Sequence, residues 1–150
     1  MNDIVLNDTS SANWTKNAQA WYSNNIGGPN EWGFRGFLDG QGHTVSGLYV
    51  NGGNSSGLFT QICGGTISNL GIVNSYVKGT NAVGAFVGTF GNYNGKSSAL
   101  NNCFADGTVT VEGAYVGGLV GYASGKMQKN YLLYLFGYIP NFYMVLCKIK

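Results

Sequence analysis

Charge is what this chain has least of. Asp, Glu, Lys and Arg make up 9% of its 150 residues, against about a quarter in ordinary globular domains. The eight basic residues form no run and the net charge is +2, so nothing in the sequence could track a phosphate backbone, and no nucleic acid is expected as a partner. Histidine occurs once, as His43, and proline twice. The cysteines Cys63, Cys103 and Cys147 are odd in number and far apart. Without C-x-x-C spacing they predict neither a metal site nor a disulfide framework, and unpaired, buried structural thiols are expected. No positively charged region precedes an apolar stretch in "MNDIVLNDTS", so no secretory signal is visible, and the chain is expected to stay inside the cell or to be a piece of something larger.

What the chain has instead is glycine, 25 residues of it, together with 44% apolar and 14% aromatic residues. That apolar content is enough to bury against the cost of chain entropy, which excludes disorder. The length suits one domain or a short run of repeats, and repetition is present. "VGAFVG" at 83–88 returns as "VGGLVG" at 116–121, an offset of 116 − 83 = 33. Ile67, Asn69 and Leu70 match Leu100, Asn102 and Cys103 at the same offset. An earlier, shorter copy runs from Val45, Gly47 and Leu48 to Gly57, Leu58 and Phe59, with offsets of 67 − 45 = 22 and 84 − 57 = 27. Variable spacing between fixed elements points to loops of different size on a common frame.

The repeated elements are short, rich in Val, Ile, Thr, Tyr and Phe, and bounded by Gly, Asn and Ser, which predicts β-strands and turns. Ile67 and Leu70 lie three apart, as do Val83 and Phe86, which strict alternation would put on opposite faces. A residue in left-handed conformation between them turns the chain, so Gly47, Asn69 and Asn102 are expected at one corner and Gly57, Gly84 and Gly117 at another. The fold class this predicts is all-β: a right-handed parallel β-helix of about four coils, each stacked about 4.8 Å from the last. The expected interior columns are Val45, Ile67 and Leu100; Leu48, Leu70 and Cys103; and Phe59, Phe86 and Leu119. Asn69 over Asn102 should form an amide ladder. An antiparallel sandwich is the competing fold, but it does not require one corner residue in one register three times.

The run "GFLDGQGHTVSGLYV", then "GGTISNLGIV" and "VGGLVG", resembles the GLUG-motif repeat, whose Gly, Leu, hydrophobic, Gly signature falls here on Gly118, Leu119, Val120 and Gly121. Residues 36–125 fit the pattern. "GAFVG" departs from it at Phe86, and "SGLFTQI" lacks the second glycine. The resemblance implies a right-handed β-helix within bacterial surface or secreted proteins, including adhesin-like proteins and accessory regions of some peptidases that cleave immunoglobulin A.

Three segments follow: an N-terminal coil or cap at 1–36, the repeats at 37–125, and an atypical hydrophobic tail at 126–150. Trp14, Ala18 and Trp21 suit one face of a short helix that could close the open end of the stack, with an aromatic platform for sugar rings as the alternative. The tail abandons the repeat pattern, and Tyr131 to Cys147 is a nearly uncharged run of 17 residues interrupted by Gly137, Pro140 and Asn141. Out-of-frame or truncated sequence, a membrane anchor, and an irregular tail packed on the last coil are the three readings of it.

Catalysis on a β-helix needs carboxylates, or a carboxylate-bound metal with a basic residue, converging in one groove. The six acids Asp3, Asp8, Glu31, Asp39, Asp106 and Glu112 scatter when registered on the coils. Asp39 before Gly40 reads as turn chemistry, and Glu112 faces Lys78 across coils as a surface pair. His43 has no second ligand at metal spacing, and "DGQGHTVSG" lacks the helix a phosphate loop needs. No catalytic residue, metal ligand or cofactor is therefore predicted, and no ligand-binding residue is assigned. The expectation is a non-catalytic structural or binding module of a bacterial cell-surface or secreted protein, an adhesin-like stalk. Its outward residues and loops such as 89–98 would meet host or cell-surface glycans or proteins, and its open coil end would continue into further repeats. A fragment of a carbohydrate-active β-helix enzyme, or the accessory repeats of a surface peptidase, is the alternative.

Overall fold

A computed structural model of the chain describes residues 2–21, 26, 33–106, 110–113 and 115–123. The tail at 126–150 lies outside these residues, as do Glu31 and Trp32, and of Glu112 only the backbone is described. Among the described residues no helix is long and apolar enough to cross a membrane, and the regular structure is all-β apart from one 3-10 turn, Trp14–Lys16.

After β1 (Ile4–Val5) the strands come in groups of five. The first group is β2 (Phe37–Asp39), β3 (Thr44–Ser46), β4 (Tyr49–Asn51), β5 (Ser55–Ser56) and β6 (Phe59–Cys63). The second is β7 (Thr66–Ser68), β8 (Gly71–Val73), β9 (Tyr76–Lys78), β10 (Ala82–Gly84) and β11 (Val87–Gly91). The third is β12 (Ala99–Asn101), β13 (Phe104–Ala105), β14 (Thr110–Glu112), β15 (Tyr115–Gly117) and β16 (Val120–Ala123). Within and between these groups, every strand pairs in parallel with the strand five places further on, giving five sheets with one strand from each group, and β1 adds to the outside of β3.

Strands this short cannot hold themselves. Ordering three residues costs about 3–6 kcal/mol of backbone entropy, while one buried aliphatic side chain returns about 1.5–3 kcal/mol. The central residue is buried in β3, β4, β7, β8, β9, β10 and β12, and ladders on both sides of the middle group supply the remainder. The core is therefore a set of vertical columns: Leu38, Ile67 and Leu100 in one, and Val45, Ile72 and Ala105 in the next. Val50 and Val77 form a third.

These columns correct the expected ones. Val45 pairs with Ile4 and Ile72, not Ile67, whose neighbour is Leu38. The first step of the repeat is thus 72 − 45 = 27 and not 22. Leu48 lies beside Ser75, whose Oγ accepts its amide at 3.1 Å, so it leaves the column of Leu70 and Cys103. Phe59 stands over Val87 and Val120, which puts Leu58 in the place beside Phe86 and Leu119. The physical reason is that the loops absorb the length differences. Seven residues separate Leu38 from Val45 where five separate Ile67 from Ile72, because Gln41 and Gly42 form a left-handed turn there, at φ 53° and 84°.

Of the two expected corners, one holds in part and one fails. Gly47, Asn69 and Asn102 are left-handed, at φ 68°, 54° and 52°. Asn69 and Asn102 share one register, but Gly47 belongs beside Asn74, φ 45°, whose carbonyl accepts its amide at 3.1 Å. Gly57, Gly84 and Gly117 do share a register, yet none has positive φ. Close backbone approach is what demands glycine at this level: a Cβ on Gly84 would sit 2.6 Å from the Leu119 carbonyl oxygen, and one on Gly57 2.7 Å from the Gly84 carbonyl oxygen. The helix expected through Trp14 and Trp21 is also absent. Its 3-10 turn ends at Lys16, and Trp21 instead donates its backbone amide to Tyr49 O at 2.7 Å and its indole N–H to Leu58 O at 3.1 Å. With no sustained 3.6-residue apolar stripe in this segment, the exposed carbonyls of the first strand group outcompete a helix.

Candidate functional site

The three strand groups leave polar chemistry in three places. The first is the corner shared by Asp39, Asn69 and Asn102, one residue from each group. Asn69 Nδ2 donates to Asp39 Oδ1, and Asn102 Nδ2 donates to Asn69 Oδ1, both at 2.9 Å. The expected amide ladder is present and starts on a carboxylate. Asp39 also accepts from the Gln41 amide at 2.9 Å, the turn role read for it from the sequence. The Asn69 amide and then the Gln41 N–H hold this carboxyl below its ordinary range.

The second place is the end of the stack covered by the N-terminal segment. Asp3 Oδ1 accepts the Thr44 amide at 2.8 Å and lies 3.4 Å from His43 Nδ1. The Thr44 N–H is the main reason the Asp3 carboxyl is held low; it outweighs the opposing effect of desolvation, and His43 adds a smaller lowering. Asn7 fastens the same segment: Nδ2 donates to Gln19 O and Gly47 O at 3.1 and 2.8 Å, and Oδ1 accepts the Gln19 amide at 2.7 Å. Beneath β1 is a cavity of about 230 Å³, walled by Ile4, Leu6, Trp21, Leu38, Val45 and Phe59, with Asp39 and His43 also on its lining. Sequence reasoning left His43 without a partner because Asp3 lies 40 residues away, on a strand too short to show a period.

The third place is the loop between β11 and β12. Tyr93 and Lys96 bridge it through paired backbone bonds of 3.0 and 2.9 Å, with Asn94 and Gly95 left-handed at φ 47° and 76°, as an Asn-Gly turn requires. Arg35 lies 3.8 Å over the Tyr93 ring. Buried Ser98 anchors the base of the loop, accepting the Gly64 amide at 2.7 Å and donating toward the carbonyls of Gly91 and Ile62. Outside the ladder of β4 and β9, Tyr49 stacks on Tyr76 with centroids 5.7 Å apart, and Trp14 meets Tyr49 edge-on at 6.1 Å.

The remaining sequence-predicted residues stay separate. Asp8 caps Ser10, whose backbone amide lowers its carboxyl. Asp106 follows β13 and Asp39 ends β2, on different sheets, so the described acids do not converge. Glu112 and Lys78 are register partners in β14 and β9, as expected. Cys63 and Cys103 are free and buried, and burial pushes the Cys103 thiol up. Among the described residues no group of three His, Cys, Asp or Glu side chains could hold a metal ion. A strand, not a helix, follows the glycines of "DGQGHTVSG", so no helix N-terminus faces that turn.

No family model matches the chain, and no solved structure matches it. Among curated proteins, the chain is similar to halomucin of Haloquadratum walsbyi, strain DSM 16790 / HBSQ001, with 41% identity over 91 residues. That stretch covers 59% of this chain and 1% of halomucin, so what the chain resembles is one small part of a very long protein.

Proposed function

We propose that the chain is a stretch of right-handed parallel β-helix built from GLUG-type repeats, and that it serves as a non-catalytic stalk or scaffold of a cell-surface or secreted protein. The observation that carries this reading is the pairing rule: each strand lies parallel to the strand five places on, through three successive groups. A chain that returns to the same sheet every 27 to 34 residues, always parallel, is a coil with one group per turn, and parallel crossovers are right-handed by the twist of the strands. The part-length likeness to a protein named halomucin agrees with a repeat region at the cell surface. The carboxylates of Asp3, Asp8 and Asp39 are spent on a strand clasp, a turn and a corner ladder, which supports structural work over chemistry. On this frame the loop carrying Tyr93 and Lys96, with Arg35 packed over the Tyr93 ring from ahead of β2, is the surface offered to glycans or proteins, since it is the largest insertion between strands of the described groups.

A coil has nearest-neighbour stability, so one turn can be removed without losing the rest. Deleting residues 67–99 joins Thr66 to Leu100 and removes one five-strand group. The expected product is a shorter β protein that still unfolds cooperatively at lower temperature. A deletion product without β circular dichroism overturns the coil. Antibodies against residues 91–98 should stain intact cells that make the full-length protein, and staining confined to permeabilised cells overturns the surface placement.

A further inference from the structure

The N-terminal segment covers the first strand group unevenly. β1 lies along β3, the Trp21 amide bonds Tyr49 O in β4, and Phe34 bridges to Ile62 in β6 through bonds to Gln61 O and Cys63 N of 2.8 and 3.1 Å. β2 is the outermost strand of its sheet, and among the described residues nothing pairs with its outer side. Gly36 and Gly40 bond inward to β7. The alternation of a parallel ladder then turns the amide and carbonyl groups of Phe37 and Asp39 outward, and Phe37 is 70% exposed. An unpaired edge of this kind is a template for an added strand. The cavity under β1 lies against the same strand, with Leu38 on one side and Ile4 on the other.

Chain arithmetic fixes what fits. Leu38 precedes Val45 by seven places across the turn at Gln41 and Gly42, and in the two later crossings the residue in the first column precedes that in the second by five: Ile67 before Ile72, and Leu100 before Ala105. Ile4 already occupies the Val45 column, so the matching residue beside Leu38 falls ahead of Met1. We infer that the outer edge of β2 and the cavity behind it form one acceptor slot for a further parallel strand of the repeat's own chemistry. That strand is polar, aliphatic, polar, is covalently continuous with β1, and drops its aliphatic side chain into the cavity against Leu38 and Ile4. The inference rests on the coil reading above and adds the place, direction and composition of the next strand.

The test extends the full chain with Gly-Thr-Ile-Ser directly ahead of Met1, the same run as residues 65–68, which sets the isoleucine five places before Ile4 and offers Phe37 a glycine carbonyl as Gly65 offers one to Ala99. Amide exchange is expected to slow by about tenfold or more at Phe37 and Asp39, the melting temperature to rise, and Trp21 fluorescence to shift as the cavity fills. A Gly-Thr-Asp-Ser extension should produce none of these changes. Unchanged exchange at Phe37 and Asp39 with the isoleucine extension, or equal effects of both extensions, overturns the slot. Protection of Leu38 and Ser68 in the unextended chain reports the β2–β7 ladder itself. If those two amides exchange freely, the coil reading fails; if they are protected while Phe37 and Asp39 stay open in the extended chain, only the slot fails.

Discussion

Gly84 and Gly42 are two glycines that a single substitution separates by mechanism. At Gly84 the backbone is unstrained for any residue, but an added methyl would lie 2.6 Å from Leu119 O and 2.7 Å from both Gly121 N and Val87 O, where ordinary contact begins at 3.4 Å. All three atoms are backbone, and Leu119 O and Gly121 N belong to the next strand group, so relief needs a displacement of about 0.8 Å between neighbouring groups. Leu119 O accepts from the amides of Phe86 and Val87 at 3.0 and 3.2 Å, and moving it weakens both bonds. Overpacking of about 1–3 kcal/mol with loss of one or two bonds at about 1 kcal/mol each gives about 3 kcal/mol for Gly84→Ala. Gly42 is the converse, with φ +84° and nothing within 4 Å of an added Cβ. There the left-handed strain of about 1–2 kcal/mol is partly offset by about 0.4–1 kcal/mol from a stiffer unfolded chain, leaving under about 1 kcal/mol. At about 4 °C per kcal/mol for a body of this size, calorimetry should find Gly84→Ala about 12 °C below the parent and Gly42→Ala within about 4 °C of it. Equal melting temperatures, or a lower one for Gly42→Ala, would refute the assignment of Gly84 to close approach of backbones.

The corner ladder and the loop anchor make separate predictions. Asn69→Gly keeps the left-handed backbone and loses two side-chain bonds, so urea unfolding should show a loss of about 1–2 kcal/mol, and Asn69→Ala should lose more because φ 54° then strains the chain. Asp39 and Asp3 have carboxyls lowered by folding; a lowered group contributes stability that is complete above its unfolded pKa and lost as pH falls through the folded one. Melting temperature should therefore fall below about pH 4, and the double variant Asp3→Asn, Asp39→Asn should give a flatter acid limb; an unchanged limb contradicts both contacts. Ser98→Ala leaves the half-buried Gly64 amide without its 2.7 Å acceptor, and a loss of about 1–2 kcal/mol is expected by urea unfolding. A smaller loss would mean that the loop base is held by other contacts.

The sequence alone determined the repetition, the β class, and the left-handed residues Gly47, Asn69 and Asn102, because a spacing of 33 between equivalent residues, β-rich triplets and Asn or Gly at turns are all local signals. It also placed Asn69 over Asn102 and Glu112 opposite Lys78, where successive copies differ by at most one inserted residue. It misjudged Val45, because the copies at 45 and 67 look alike while the turn at Gln41 and Gly42 lengthens one loop, and a string of letters does not say which loop took up the difference. Only the tertiary structure decided that Val45 sits over Ile72, that Gly84 is glycine because the backbone of the next strand group touches it, and that Asp3 reaches His43. Register between parallel strands is set by which side chains fill the same level of the core, a choice made between segments distant in sequence. Contacts of that kind leave no period to read.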